Sequence, residues 1–332
     1  MIFLNNKRLC LACSRTFASD AAFCPDDGSP LASVHDGPPP DLVPGYRLER
    51  EIGRGTSGKV YQAVENGTNR RVAIKILHQT LANDLEMLRR FKKEAELSSR
   101  LSSRNTVSVK HFGLISDGRP FIAMDFIDGE TTCALIEKGM GLPFMRALPI
   151  FIQAAAGLAH AHKNCIMHRD IKPGNIMLTT ENGIADVVKI VDFGIAKELQ
   201  LGNNFTALTL PGEAIGSPMY MSPEQCLGAE IDHRTDIYSL ACVMYEMLTG
   251  RPLFRAPTAM SVMTMQVRAT PAPMNLPASM ITAELERIVM KGLAKNPNER
   301  YMVMEELQRD LQIVFSRLQA QWASPMRTIR AS

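Results

Sequence analysis

Apolar residues recur along this chain in two rhythms. Between residues 46 and 127 they occupy alternate positions in short runs separated by glycines, as in Val72-Ala73-Ile74-Lys75-Ile76-Leu77, and this alternation predicts β-strands. From residue 147 onward the apolar spacing is helical, with Leu148, Ile152, Ala155 and Leu158 on one face of the first segment. Helices are predicted at residues 147–163 and around 258–268, 282–294 and 303–319. The pattern predicts an α+β chain in which a sheet-rich part precedes a larger helical part.

Polar side chains interrupt the apolar pattern between residues 168 and 194. His168-Arg169-Asp170-Ile171-Lys172-Pro173-Gly174-Asn175 is followed by a predicted hairpin and then by Asp192-Phe193-Gly194. Asp170, Asn175 and Asp192 stand among apolar neighbours. Mg²⁺ prefers oxygen ligands and takes only one or two protein carboxylates. Two carboxylates and one amide therefore suit a metal bound to phosphate, and the remaining carboxylate can accept a proton from an attacking hydroxyl.

A glycine-rich turn, Gly53-x-Gly55-x-x-Gly58-x-Val60, lies between two predicted strands. Because glycine has no Cβ, the backbone of such a turn can approach a phosphate closely. A dinucleotide-binding turn would run directly into a helix, but residues 59–64 alternate as a strand. The turn therefore favours a flap over ATP, and Lys75 on the next strand is a candidate phosphate-binding lysine.

Taken together, these motifs resemble those of protein kinases, and residues 45–316 are most similar to bacterial eukaryotic-like (Hanks-type) serine/threonine kinases. The resemblance implies a bilobal protein kinase-like fold, with a small β-rich N-lobe at residues 45–127 and a larger helical C-lobe at 128–316. It implies transfer of the ATP γ-phosphoryl group, with Mg²⁺, to serine or threonine of protein substrates. The sequence motif Asp-x-Lys-Pro-x-Asn resembles that of serine/threonine kinases rather than that of tyrosine kinases.

The resemblance also assigns roles in the catalytic loop. Asp170 would accept the proton of the substrate hydroxyl, and Lys172 would offset charge that develops on the transferring group. Asn175 and Asp192 would hold the metal ions. In kinases of this family, the histidine at the position of His168 packs under the phenylalanine of the Asp-Phe-Gly motif.

The nucleotide pocket is assigned in the same way. Lys75 would contact the α- and β-phosphates and be held by a helical carboxylate, for which Glu94 matches best and Glu96 and Glu86 are alternatives. Met124 would be the gatekeeper beside the adenine. The backbone of residues 125–127 would bond its edge. The predicted pocket residues are Ile52, Gly53, Gly55, Gly58, Val60, Ala73, Lys75, Glu94, Met124, Asp125 and Ile127.

Residues 192–224 resemble an activation segment. An arginine beside the catalytic aspartate, here Arg169, commonly pairs with phosphate on that segment. Thr206 and Thr209 are the predicted autophosphorylation sites, the alternative being that they are ordinary loop threonines. Ser217 replaces the usual family threonine and keeps its hydroxyl.

Three further residues receive structural roles from the resemblance. Asp236 would hold the backbone of the catalytic loop, and Glu224 would pair with Arg300. Breaking such a buried pair on one side costs about 3–5 kcal/mol.

The first residues form a separate motif. Cys10-x-x-Cys13 followed by Cys24-Pro25-Asp26-Asp27-Gly28 has the spacing of a zinc ribbon in which Asp27 replaces the fourth thiolate. His35 is another candidate ligand, and the alternatives are a degenerate ribbon without metal or a disordered tail. Residues 1–32 are read as a zinc-ribbon-like segment, 33–44 as a proline-rich linker and 317–332 as a C-terminal tail.

The amino-acid composition limits the classes of binding partner that we expect for this protein. The 332 residues are 45% hydrophobic and 21% charged, with a net charge of +3, so no basic balance indicates nucleic acid or an anionic membrane surface. No stretch matches the roughly 20 uninterrupted apolar residues of a membrane span, so a cytoplasmic protein is expected. The count of seven cysteines includes four scattered ones, read as free thiols in a reducing compartment. A homodimer is possible, and a pseudokinase scaffold and a small-molecule kinase are the rival functions.

Overall fold

The computed structural model describes residues 7–10, 16–17, 21, 23–26, 28–29, 31–34, 42–55, 58–78, 92, 95–96, 98–138, 141–193, 218–277 and 279–323. The chain divides into two compact units, one comprising Met1–Leu88 and Lys110–Phe126 and the other Arg89–Val109 and Ile127–Ser332.

The first unit begins with a small antiparallel sheet. Its strands are β1 (Lys7–Cys10), β2 (Thr16–Phe17) and β3 (Leu31–Val34), in the order β2-β1-β3. Such short strands bury little apolar surface, so an independent module of this size usually needs a further source of stability such as a metal.

A five-stranded sheet forms the rest of the first unit. Its strands are β4 (Tyr46–Gly55), β5 (Gly58–Glu65), β6 (Arg71–Leu77), β7 (Val109–Leu114) and β8 (Pro120–Asp125), in the order β4-β5-β6-β8-β7. Alternation places Tyr46, Leu48, Ile74 and Phe121 on the buried face. Two register shifts interrupt β4 against β5, so the strict alternation predicted for β4 ends after Leu48.

From Ile127 onward, the second unit contains β9 (Gly129–Thr131), α1 (Thr132–Glu137) and α2 (Phe144–Lys163). The hairpin of β10 (Ile176–Glu181) and β11 (Ile184–Ile190) joins β9 in a sheet ordered β11-β10-β9. The catalytic-loop motif therefore lies between the end of α2 and the start of β10.

Helices make up most of what the structure describes between residues 218 and 323. They are α3 (Pro223–Leu227), α4 (Arg234–Thr249), α5 (Ala259–Arg268), α6 (Met280–Gly292) and α7 (Met304–Ala323). Thirteen of the sixteen residues of α4 are buried, so this helix is the centre around which the others pack. The helices predicted from apolar spacing are confirmed. However, α7 runs past the predicted domain end at residue 316, because Leu311, Val314 and Leu318 continue one buried stripe.

One described helix, α2, has the length and apolar character of a membrane span. Within its most apolar window 56% is buried inside the fold, as expected of a core helix. It packs against α7 and β11, which accounts for its apolar face.

Candidate active site

One buried carboxylate, that of Asp236, anchors the loop that follows α2. Asp236, in the first turn of α4, is fully buried and accepts hydrogen bonds from the backbone N–H groups of His168 and Arg169, both at 2.8 Å. The Nε2 of His162 donates to the same carboxylate at 2.8 Å. Burial alone would raise the pKa of Asp236, but the bond and charge of His162, together with His168, hold it below its usual value. The carboxylate therefore stays charged and fixes the loop where Arg169 takes a left-handed φ of 62°.

His168 links this loop to the end of β11. Its ring is fully buried, and its Nε2–H donates to the carbonyl of Val191 at 2.9 Å. The Nδ1 accepts the backbone N–H of Asp170 at 3.3 Å. Burial lowers the pKa of His168, and a neutral ring with one donor and one acceptor matches both bonds. Phe193 packs on the ring, with centroids 4.8 Å apart, as the family resemblance leads one to expect.

The functional side chains of the loop converge on the carboxylate of Asp170. Lys172 Nζ donates to its Oδ2 at 2.8 Å, and Asn175 Nδ2 approaches the same oxygen at 3.3 Å. Asn175 Nδ2 also donates to the Asp170 carbonyl at 2.8 Å. The Asp170 side chain is 17% exposed, so it is oriented by these neighbours and still open to a substrate. An oriented carboxylate with an adjacent ammonium can accept a proton while the cation offsets negative charge.

Asn175 and Asp192 supply oxygen atoms suited to a hard cation. Because Asn175 Nδ2 is held by Asp170, the side chain presents its Oδ1 as the possible ligand. The backbone carbonyl of Asn175 accepts the N–H of Val191 at 3.0 Å, which ties the 3₁₀ turn Pro173–Asn175 to the residue before Asp192. Asp192 itself has a left-handed φ of 59°. This donor set, one amide oxygen with one carboxylate, fits Mg²⁺, which takes only one or two protein carboxylates.

A second buried carboxylate anchors α3 beneath the loop. Arg300 donates to both oxygens of Glu224, at 2.7 and 2.8 Å, and Thr235 donates to Glu224 at 2.8 Å. Burial would raise the pKa of Glu224, but the bonds from Arg300 lower it below its usual value. This is the pair that the sequence led us to expect. On the same short helix, Gln225 Nε2 donates to the Arg169 carbonyl at 2.9 Å, joining α3 to the catalytic loop.

In the first unit, the glycines of the Gly-rich turn differ in their surroundings. A Cβ on Gly58 would lie 2.1 Å from the carbonyl oxygen of Ile76, so close pairing of β5 with β6 requires glycine there. Among the residues that the structure describes, a Cβ on Gly53 would meet only Val60, at 3.8 Å, and one on Gly55 would meet nothing within 4 Å. Packing therefore explains Gly58, whereas the openness at Gly53 and Gly55 is what a bound phosphate would need.

The other predicted pocket residues of this unit lie on its strands. Lys75 is half-buried on β6 and pairs in register with Val60 and Ile122. Ala73 on β6 and Met124 on β8 are buried, and the Asp125 side chain lies 3.1 Å from Lys110. Ile52 is exposed on β4. Ile127 is half-buried and belongs to the second unit.

Several predicted residues fall outside the described part of the chain. They are Glu86, Glu94, Thr206, Thr209, Ser217, Cys13, Asp27 and His35. Glu96, the alternative to Glu94, is exposed and lies 4.0 Å from Lys92. Cys24 is buried, and only the backbone of Cys10 is described. Among the described residues no group of three or more His, Cys, Asp or Glu side chains could hold a metal.

Sequence reasoning missed three contacts that hold the loop, two of them direct and one acting through Asp236. Gln225 had a usable signal, because Ser222 and Gln225 form a capping box, a Ser-x-x-Gln pattern at the start of a helix. His162 has no such signal, since its bond to Asp236 spans 74 residues. Thr132, which donates to the carbonyl of Pro173, likewise stands in no recognisable motif.

Known proteins resemble this chain over most of its length. Residues 46–311 match the family described as protein kinase domain. The serine/threonine-protein kinase pkn3 of Myxococcus xanthus is 35% identical over 289 residues, which is 86% of this chain and 53% of that protein. PknB of Mycobacterium leprae is 36% identical over 82% of this chain and 43% of its own length. The chain thus spans about half or less of these relatives.

Solved structures agree with the sequence comparison. The crystal structure of the Mycobacterium tuberculosis PknI kinase domain superposes with a TM-score of 0.62 at 26% identity. It covers 85% of this chain and 99% of the PknI chain. The kinase fold, with a sheet-rich N-lobe and a helical C-lobe, is therefore confirmed for this protein.

Proposed function

The chain belongs to the protein kinase family, and from that premise we propose that it transfers the γ-phosphoryl group of ATP to serine or threonine side chains of proteins. The observation that carries the proposal is the carboxylate of Asp170, oriented by Lys172 at 2.8 Å and by Asn175 at 3.3 Å. The named relatives pkn3 and PknB are serine/threonine-protein kinases, which supports the same acceptor class.

Each loop residue then has a distinct task. Asp170 accepts the proton of the substrate hydroxyl and aligns its oxygen for attack. Lys172 places a positive charge where negative charge develops on the transferring group. Because these two side chains already contact each other, little reorganisation precedes the reaction.

Asn175 and Asp192 are the residues that would hold magnesium. When bound, the ion neutralises charge on the phosphates of ATP. The chain's own contribution is to orient its ligands: Asp170 fixes the Asn175 amide, and the Val191 backbone joins the two ligand positions.

The nucleotide itself is assigned to the sheet of the first unit. We place the phosphates at Lys75 and the open glycines Gly53 and Gly55, and the adenine beside Met124 and the backbone of residues 125–127. Glu94 keeps its predicted role as the partner of Lys75.

Incorporation of label from [γ-³²P]ATP into a generic protein substrate tests the proposal. Wild type and the control Asp117→Asn, an exposed loop aspartate, should both transfer phosphate. Asp170→Asn should lose transfer by about 10³-fold or more while still binding nucleotide, because only the acceptor of the proton is removed. Transfer that persists in Asp170→Asn would show that the base is misassigned. Nucleotide binding without transfer in wild type would favour a pseudokinase scaffold.

Regulation is proposed through the activation segment. Thr206 and Thr209 would be autophosphorylated, and Arg169 would pair with the resulting phosphate. Mass spectrometry after incubation with Mg-ATP should locate phosphate on one or both threonines, and none should form in Asp170→Asn. Phosphate confined to other residues would contradict this assignment.

We also propose that Cys10, Cys13, Cys24 and Asp27 bind zinc. The support is the tight turn at Cys24, where Gly28 N–H donates to the Cys24 carbonyl at 2.9 Å and Gly28 has a φ of 72°. Elemental analysis of the whole protein should find about one zinc per chain, lost in Cys24→Ala and kept in the control Cys165→Ala. Absence of zinc from wild-type protein prepared with sufficient zinc would indicate a degenerate ribbon without metal.

Cytoplasmic location, homodimerisation and the absence of a nucleic-acid partner remain predictions from the sequence.

A further inference from the structure

A buried threonine bonds the turn that carries Asn175. Thr132 is the first residue of α1 and is 0% exposed. Its Oγ1 donates to the carbonyl of Pro173 at 2.8 Å, across 41 residues of sequence. Burying a hydroxyl group without a hydrogen-bond partner is unfavourable. The bond to Pro173 therefore offsets the cost of placing a threonine at this buried position.

The neighbours of Thr132 fix its position from both sides. Thr131 ends β9, where it pairs with Met177 of β10, and its side chain caps α1 by accepting the N–H of Ala134 at 3.2 Å. The helix α1 packs directly on the 3₁₀ turn Pro173–Asn175. Because threonine is β-branched, its χ1 is restricted, and the hydroxyl points in a defined direction.

The bonded carbonyl is the one that closes the turn. Pro173 O also accepts the N–H of Ile176, so Thr132 is its second donor. The turn ends on Asn175, whose Nδ2 donates to the Asp170 carbonyl at 2.8 Å. A chain of contacts thus runs from the Thr132 hydroxyl through the turn to Asn175 and Asp170.

We propose that Thr132 is a positioning residue for phosphoryl transfer, whose hydroxyl holds the Pro173–Asn175 turn so that Asn175 presents its Oδ1 to the metal and its Nδ2 to Asp170. This inference rests on the proposed function, because it takes Asn175 as a metal ligand. Thr132 acts through the turn and touches neither substrate nor metal. Its loss should therefore affect the metal requirement and kcat, and leave KM for the protein substrate unchanged.

Thr132→Val removes the hydroxyl and keeps the shape of the side chain. Thr179→Val is the matched control, because Thr179 Oγ1 also donates to a backbone carbonyl, that of Asp128, at 2.7 Å, but lies beyond the turn on β10. We expect Thr132→Val to raise the Mg²⁺ concentration for half-maximal activity and to lower kcat. The product of these two changes should be about 5–30-fold. Thr132→Ser should restore both to within about threefold, and Thr179→Val should match wild type.

A second readout does not depend on turnover. Hydrogen exchange of the Asn175 and Ile176 amides, which donate within this turn, should be about 5–30-fold faster in Thr132→Val and unchanged in Thr179→Val. Should Thr132→Val not fold, Thr132→Ser against Thr132→Ala gives the same comparison, because only serine keeps the hydroxyl.

The outcomes separate the two proposals. If wild type transfers phosphate and Thr132→Val equals Thr179→Val in Mg²⁺ dependence and exchange, the role of Thr132 is overturned and the kinase activity stands. A serine variant as impaired as valine would also overturn it, because shape and not the hydroxyl would then matter. If wild type transfers no phosphate, the proposed function fails, and faster exchange in Thr132→Val would still support the hold on the turn.

Discussion

Removal of Arg300 should destabilise the helical unit far more than removal of a comparable surface arginine. The guanidinium has five N–H donors, and all five are used. Two bond the carboxylate of Glu224, and the others bond the carbonyls of Ala294, Arg234 and Lys295 at 2.8 to 3.1 Å. The Arg300 side chain is 0% exposed and that of Glu224 is 9% exposed. Arg300→Met would thus leave a buried carboxylate without its counter-charge.

The magnitude follows from that burial. Breaking a buried ion pair on one side costs about 3–5 kcal/mol. At about 2–4 °C per kcal/mol for a unit of this size, the melting temperature should fall by roughly 6–20 °C. Arg146 is the control, because it also makes a bidentate pair, with Asp186 at 2.7 and 2.9 Å, but is 43% exposed. Arg146→Met should cost only about 0–1 kcal/mol.

Urea unfolding followed by circular dichroism, with thermal melts beside it, measures the effect. Equal midpoints for Arg300→Met and Arg146→Met would refute the reasoning, because burial would then make no difference. The variant Arg300→Lys should rescue little, since one ammonium has three donors and cannot reproduce the bidentate contact.

The same pair gives a pH dependence of known sign. The pKa of Glu224 is lowered in the folded protein from 4.5, so the unfolded chain binds more protons as the pH falls. The stabilisation from Glu224 is complete above pH 4.5 and is lost as the pH falls through the lowered folded pKa. Relative to Glu224→Gln, wild type should lose stability only in that acid range. A difference that does not change with pH would contradict the assignment.

Three further predictions concern single groups. Gly58→Ala, whose Cβ would lie 2.1 Å from a carbonyl oxygen, should cost about 1–3 kcal/mol, whereas Gly55→Ala, in open space, should stay within about 0.5 kcal/mol; equal urea midpoints would contradict this. Burial lowers the pKa of Lys295 from 10.5 to about 8, so wild-type stability relative to Lys295→Met should rise between those pH values; a flat difference in pH-dependent melts would refute it. Asp236→Asn replaces one carboxylate oxygen by an NH₂ group, which cannot accept the backbone N–H that faces it. This variant should lower kcat by about 100-fold. An unchanged kcat in steady-state assays would show that the loop needs no such anchor.

Local patterns in the sequence predicted several of the strands and the longer helices of this fold. Alternation marked the strands around Ile74, and helical spacing marked α2 and the three helices after residue 258. These signals are local because each reports how a strand or helix divides its own side chains between core and solvent. The helix predicted to end at residue 319 continues to Ala323 as α7, because its last turn lies beyond Leu318, the last residue that the structure describes as buried, so the buried stripe does not mark where the helix ends.

The candidate site was predicted in part. Sequence pattern and spacing singled out Asp170, Asn175, Asp192 and Lys75. The family resemblance added the pairing of Glu224 with Arg300. The reason for glycine at position 58 was not predictable, because it lies in the closeness of a neighbouring strand.

By itself, the sequence determined the chemistry available to this protein: which side chains carry charge, which glycines permit a tight turn, and which segments form strands and helices. Tertiary structure alone decided how the chemistry is held in place. The bond from His162 to Asp236 and that from Thr132 to Pro173 join residues 74 and 41 positions apart. Such contacts form only when separate elements pack, so no repeating pattern along the chain announces them.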